Sequence, residues 1–164
     1  MSTRHPQDYY KTPEWCYEAL QDLIDWERVR SFLEPCCGDG RIVRWVNKQE
    51  HVRIFQYGDI PQYDYFTHMY DSAHLCLTNP PYSLAEQFVR KSITDNQCTI
   101  MLLRLGFLAS QGRYQLFKTY PITGLYVLSR RPSFINGRTD NSEYAWFAWD
   151  KTGEIAKKGI HHIL

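Results

Sequence analysis

A chain of 164 residues, 43% of them hydrophobic and 23% charged, fits one domain with a sizeable buried core. Its formal net charge of +1 excludes attraction of a polyanion by the field of the whole molecule, so such a partner has to meet a local basic patch. No segment approaches the roughly 18 apolar residues of a membrane span, and the N-terminal stretch lacks a secretory apolar core, so a soluble, cytoplasmic protein is expected. The five cysteines form an odd set without CxxC spacing; they read as reduced thiols, with neither a disulfide framework nor a metal expected.

Along the chain, short apolar runs alternate with helical spacing, the pattern of an α/β domain with a mostly parallel sheet and helices on both faces. Thr12 as an N-cap before Pro13 predicts a helix start, and Trp15, Cys16, Ala19, Leu20, Leu23 and Ile24 extend the periodicity to position 24. A strand at 29–34, a helix at 40–49 and a strand at 52–57 form a βαβ unit. An irregular stretch over 58–71 is followed by a strand at 73–77, a helix at 84–93 and a strongly apolar strand at 98–104. A helix around 110–119, a strand at 124–129, a polar loop at 130–142 and a strand at 143–150 complete the core, the last two strands forming an antiparallel C-terminal hairpin. The tail from Lys151 carries no assignment, and His161 and His162 read as part of it. Without repeats or a linker, a single domain over 1–164 is expected.

In sheets of this kind ligands bind beyond the carboxyl ends of the strands. The first such end, "FLEPCCGDGRI", places Glu34 last in its strand, then a turn at Pro35, then Gly38 and Gly40 before a helix. Two glycines permit close backbone approach to a ligand, while the carboxylates of Glu34 and Asp39 disfavour a phosphate and suit a cationic group. Asp59 ends the next strand, about 20 positions beyond the glycines, where an acidic residue accepts ribose hydroxyls. "YDYF" then supplies Asp64 and Tyr65. In "LTNPPYS", Pro80 and Pro81 cannot continue a central ladder and hold Asn79 and Tyr82 in a rigid, extended turn.

Together "YYKTPEW", "EPCCGDG", Asp59, Asp64 and "NPPY" resemble the S-adenosylmethionine-dependent amino-methyltransferases, most closely the DNA adenine-N6 methyltransferases of a small phage and prophage type. The similarity continues through "NPPYSLAEQFVRK", "MLLRLGFL", "SRRPSF" and "EYAWFAW". It implies a Rossmann-like class I methyltransferase fold without a separate target-recognition domain. The implied cofactor is S-adenosylmethionine. The implied partner is DNA, as a duplex with base flipping or as a single strand, with a second copy or a specificity subunit as a further candidate. Carried onto this chain, the resemblance implies that Tyr10 and Thr12 close over the methionine end of the cofactor. Glu34, Pro35 and the backbone from Cys36 through Gly38 to Gly40 would hold its amino-acid portion, with Asn79 beside it. Asp59 would take the ribose, and Asp64 with the Tyr65 backbone the adenine.

The chemistry of an exocyclic amine accounts for the proline turn. Its lone pair is delocalised into the ring, and acceptors at its hydrogens favour a more tetrahedral, nucleophilic nitrogen. The Asn79 side-chain oxygen and the Pro80 carbonyl suit that role, Pro81 stiffens the turn, and Tyr82 offers a stacking face. Arg130, Arg131 and Arg138 flank the loop after the sixth strand and are candidates for phosphate contact. Asparagine at position 79 also leaves open protein glutamine or RNA N-methylation, and a cofactor-binding protein without activity.

Overall fold

Strands whose residues are apolar on both sides belong in the middle of a sheet, and those with polar alternation at its edges. The computed structural model, which describes residues 11–134 and 141–164, follows this rule. Seven strands form one sheet in the order β2-β1-β3-β4-β6-β5-β7. The inner strands β1 (Ser31–Glu34), β3 (Leu75–Thr78), β4 (Cys98–Arg104) and β6 (Tyr144–Asp150) are buried along their length, apart from Arg104 at the end of β4. The edge strands β2 (Ile54–Tyr57) and β7 (Gly159–Ile163) are largely exposed, and β5 (Gly124–Leu128) lies between β6 and β7. Only β6 runs against its neighbours, pairing antiparallel with β4 and β5; every other pairing is parallel. The expected hairpin of the last two core strands is therefore present.

Alternation along β6 shows how the two layers are filled. Tyr144, Trp146 and Ala148 enter the core beneath α1 (Glu14–Glu18) and α2 (Arg41–Val46), while Ala145, Phe147 and Trp149 enter the one beneath α3 (Ala85–Asp95) and α4 (Tyr114–Thr119). Helix α3 buries Ala85, Phe88, Val89, Ser92 and Ile93, one stripe at helical spacing. Both tryptophans of β6 satisfy their indole N–H, Trp146 on the Cys16 carbonyl at 2.8 Å and Trp149 on that of Tyr120 at 3.0 Å. No helix among the described residues is long and apolar enough to cross a membrane.

Two sequence expectations need correction. The first helix ends at Glu18, and tight turns continue through Leu23, with Leu20, Gln21 and Leu23 each donating a backbone bond three residues back. Successive tight turns bury Cys16, Leu20, Leu23 and Ile24 as a helix would, so spacing alone does not separate the two. Thr12 does not cap this helix: Pro13 occupies the N-cap position, with no side-chain cap. The tail, unassigned from sequence, supplies β7. Its residues Gly159–Ile163 pair with β5, and His161 lies 5.8 Å from the Tyr126 ring.

Candidate active site

The parallel arrangement brings the carboxyl ends of β1 to β5 to one edge, together with the start of β6. There the chain leaves β1 at Glu34, a buried carboxylate at 1% exposure, and enters the loop that starts α2. Gly38 (φ 50°) and Gly40 (φ 76°) are both left-handed, a backbone that side chains rarely tolerate, so the glycines are required by conformation. The loop is pinned to the end of β2: Gly38 N–H donates to the Asp59 carboxylate at 2.9 Å, and Cys37 N–H to the Gly58 carbonyl at 2.9 Å. Cys36 N–H reaches Glu34 at 3.3 Å, and Ile60 N–H donates to Asp59 at 2.9 Å. Glu34, the glycine loop and Asp59 thus form one hydrogen-bonded unit.

Asn79 and Thr12 join this unit from opposite ends of the sequence. Each is 7% exposed, and the Asn79 amide nitrogen donates to the Thr12 hydroxyl at 3.0 Å. Beside them is a small open cleft lined by Thr12, Glu34, Cys36, Gly38, Ile42 and Asn79 among others. Asp39 departs from its expected role as a carboxylate awaiting a cationic ligand. It faces Arg41 at 2.9 Å and Lys11 at 3.7 Å, so the protein's own cations already meet it.

Asp64 and Tyr65 do not line the cleft. The Asp64 carboxylate accepts from Phe66 N–H at 2.9 Å within its own turn, and the Tyr65 ring stacks on Phe88 in the core, where burial pushes its phenol up. Two tyrosines that sequence reasoning passed over, Tyr63 and Tyr70, instead pack against the end of β2. A Cβ at Gly58 would collide with the Tyr70 hydroxyl and Tyr63 Cβ, so this glycine is required by space. Burial, then the nearby Cys36, Cys37 and Asp59, pushes the Tyr70 phenol up to about 12.

On the other side of Asn79, the Tyr82 ring packs against Tyr144 at 5.4 Å and Phe134 at 6.3 Å. The Arg104 guanidinium lies over the same ring at 5.2 Å, and its Nε donates to the Tyr144 hydroxyl at 3.2 Å. Arg130 covers the Trp15 ring at 4.1 Å, and Arg131 pairs with Glu143 at 2.5 Å, a hydrogen bond that holds the Glu143 carboxyl below its ordinary value. Tyr10 and Arg138 lie outside the described residues. No group of three or more His, Cys, Asp or Glu among the described residues could hold a metal ion.

In sheet order, the edge therefore reads Asp59, Glu34, Asn79, Arg104, then Glu143 at the start of β6, paired with Arg131, and Arg130. At about 4.8 Å per strand, its two ends at β2 and β5 stand five spacings, roughly 24 Å, apart, and a buried amide lies between Glu34 and Arg104.

No protein-family model matches the chain, and no curated protein does either. Solved structures do. The 23S rRNA methyltransferase ErmE is 12% identical with a TM-score of 0.64, over 92% of this chain and 72% of that one. A protein of Listeria monocytogenes described as a class I S-adenosylmethionine-dependent methyltransferase is 11% identical with a TM-score of 0.62, over 88% and 61%. The methyltransferase subunit of a type I restriction-modification system from Streptococcus thermophilus is 12% identical with a TM-score of 0.60, over 87% and 45%. The chain has the class I methyltransferase fold. It spans 61% and 45% of the length of the latter two proteins, and at these identities the likeness is one of fold.

Proposed function

We propose that the chain transfers a methyl group from S-adenosylmethionine to the exocyclic N6 amine of adenine in DNA. The observation that carries this reading is the charge order of the sheet edge, acidic at β2 and β1 and, with Glu143 of the β6 start met by Arg131, net basic from β4 to β5, with Asn79 between. A cationic donor fits the first half and an anionic acceptor strand the second. The residues present suit the cofactor. Glu34 offers a buried carboxylate beside the cleft, Asp59 is fixed by two backbone N–H groups, and both loop glycines hold the left-handed backbone of the loop. Glu34, Cys36, Gly38 and Gly40 would hold its amino-acid end and Asp59 its ribose; Asp64 and the Tyr65 backbone, which lie away from the cleft, would reach its adenine only beyond the cleft's present lining.

When bound, S-adenosylmethionine supplies an electrophilic methyl group on a sulfonium centre. The chain's own part is to hold the amine. Asn79 and the Pro80 carbonyl accept its hydrogens, Pro81 keeps that carbonyl in place, and Tyr82 carries the base. Because Asn79 has no basic group, the amine proton leaves to solvent. A duplex base reaches Tyr82 only by leaving the stack, so the target is flipped or single-stranded. Arg130 and Arg131 would contact phosphates after giving up their present partners.

The test is incubation with labelled S-adenosylmethionine and DNA, RNA and protein acceptors, followed by digestion to nucleosides and amino acids. Label is expected in DNA as N6-methyladenine, with Asn79→Ala lowering the rate at least ~100-fold, the scale of losing one transition-state hydrogen bond. Label confined to RNA or to glutamine overturns the acceptor assignment.

A further inference from the structure

Among the described residues, Tyr82 packs against Tyr144, Phe134 and Arg104, and these differ in one respect. Tyr144 is fully buried and Phe134 nearly so, and neither can leave the ring without opening the core. Arg104, in contrast, is the single exposed residue of β4, an otherwise buried strand. Its guanidinium covers the Tyr82 ring at 5.2 Å while its Nε holds the Tyr144 hydroxyl at 3.2 Å. A planar base that stacks on Tyr82 has to take the place of a planar cation, and Arg104 is the neighbour able to yield it.

Resting on the proposed reading of Tyr82 as the base platform, we propose that Arg104 is the residue that selects a nucleic-acid acceptor over a peptide amide. Its guanidinium fills the stacking position until a base arrives and then pairs with the phosphodiester beside that base. A nucleotide brings both the ring that displaces the guanidinium and the anion that receives it. A glutamine side chain brings neither a stacking ring nor a negative charge, and so leaves Arg104 in place. The β4 position suits this role, since its neighbour β3 leads directly into Asn79.

The experiment compares wild type, Arg104→Gln and Arg104→Lys for methyl transfer to an adenine-containing oligonucleotide and for binding of that oligonucleotide across a salt series. Calorimetric affinity for S-adenosylmethionine serves as the control for folding and the cofactor site. Arg104→Gln is expected to raise KM about tenfold and to lower the slope of log K against log salt by about 0.7 to 0.9, one phosphate contact, with cofactor affinity unchanged. Arg104→Lys keeps the charge and is expected to keep the slope and a KM close to that of the wild type, because the phosphate contact survives and an ammonium gives up only the resting cover of the ring. A wild-type KM and slope in Arg104→Gln overturn the assignment of Arg104 alone. Failure of the wild type to methylate any nucleic acid overturns the proposed function instead, so the two failures are distinct.

Discussion

Thr12 shows how a single hydroxyl can serve the site from far away in sequence. It accepts the Asn79 amide nitrogen across 67 positions and turns the amide oxygen away from itself. Thr12→Val removes that acceptor and leaves a buried N–H without it, a cost of about 1–3 kcal/mol, which frees the amide to rotate. Transfer is expected to slow about tenfold at saturating substrate, with Thr12→Ser restoring it; a Val variant at full rate would reduce Thr12 to packing. The sequence marks Thr12 beside Pro13 as a helix start, and the proline does begin one. Nothing local announces that the hydroxyl is used elsewhere, because its partner is brought in by sheet order. Arg104 was hidden for the same reason. Gly38 and Gly40 were legible because two glycines between a strand and a helix serve a need written within their own loop.

At the scale of elements, β4 and β7 mark the two extremes of what a sequence reveals. β4 is a continuous apolar run buried on both faces, and its bounds of 98–104 are those expected. β7 has exposed positions and two histidines, and it is a strand only because β5 offers a partner. The turn that delivers it hangs on Asp150, whose carboxylate accepts from the Ile155 N–H at 2.7 Å, the Ala156 N–H at 2.9 Å and the Thr152 hydroxyl at 2.9 Å. Burial pushes this carboxyl up, but those bonds outweigh it and hold it below its ordinary 3.8. A depressed carboxyl contributes stability that is present above its unfolded value and lost as pH falls through its lower folded value. Asp150→Asn is therefore expected to cost about 1–3 kcal/mol in urea unfolding at pH 7, and the gap from wild type should narrow below about pH 4.

Across the whole molecule, the five cysteines divide by depth. Cys16, Cys76 and Cys98 are buried, and burial pushes the first two thiols up to about 12. Cys36 and Cys37 lie partly open in the glycine loop and line the cleft. Titration with a thiol reagent is expected to consume two equivalents quickly in the native protein and three more only on unfolding, with S-adenosylmethionine slowing the fast pair. Three or more fast thiols would contradict the depth of the core. The same molecule closes its two ends on each other. Asp25 N–H donates to the Ile155 carbonyl at 2.8 Å, Lys157 N–H to that of Leu23 at 2.9 Å, and Trp146 to that of Cys16 across 130 positions. This tether gives folding an order in time. Contacts of such separation form late, because a long loop must close before they reward it. During synthesis the segment that carries Thr12 emerges before these partners, and it is tethered over Asn79 only when Trp146 has joined the sheet and the 155–157 stretch has met residues 23–25.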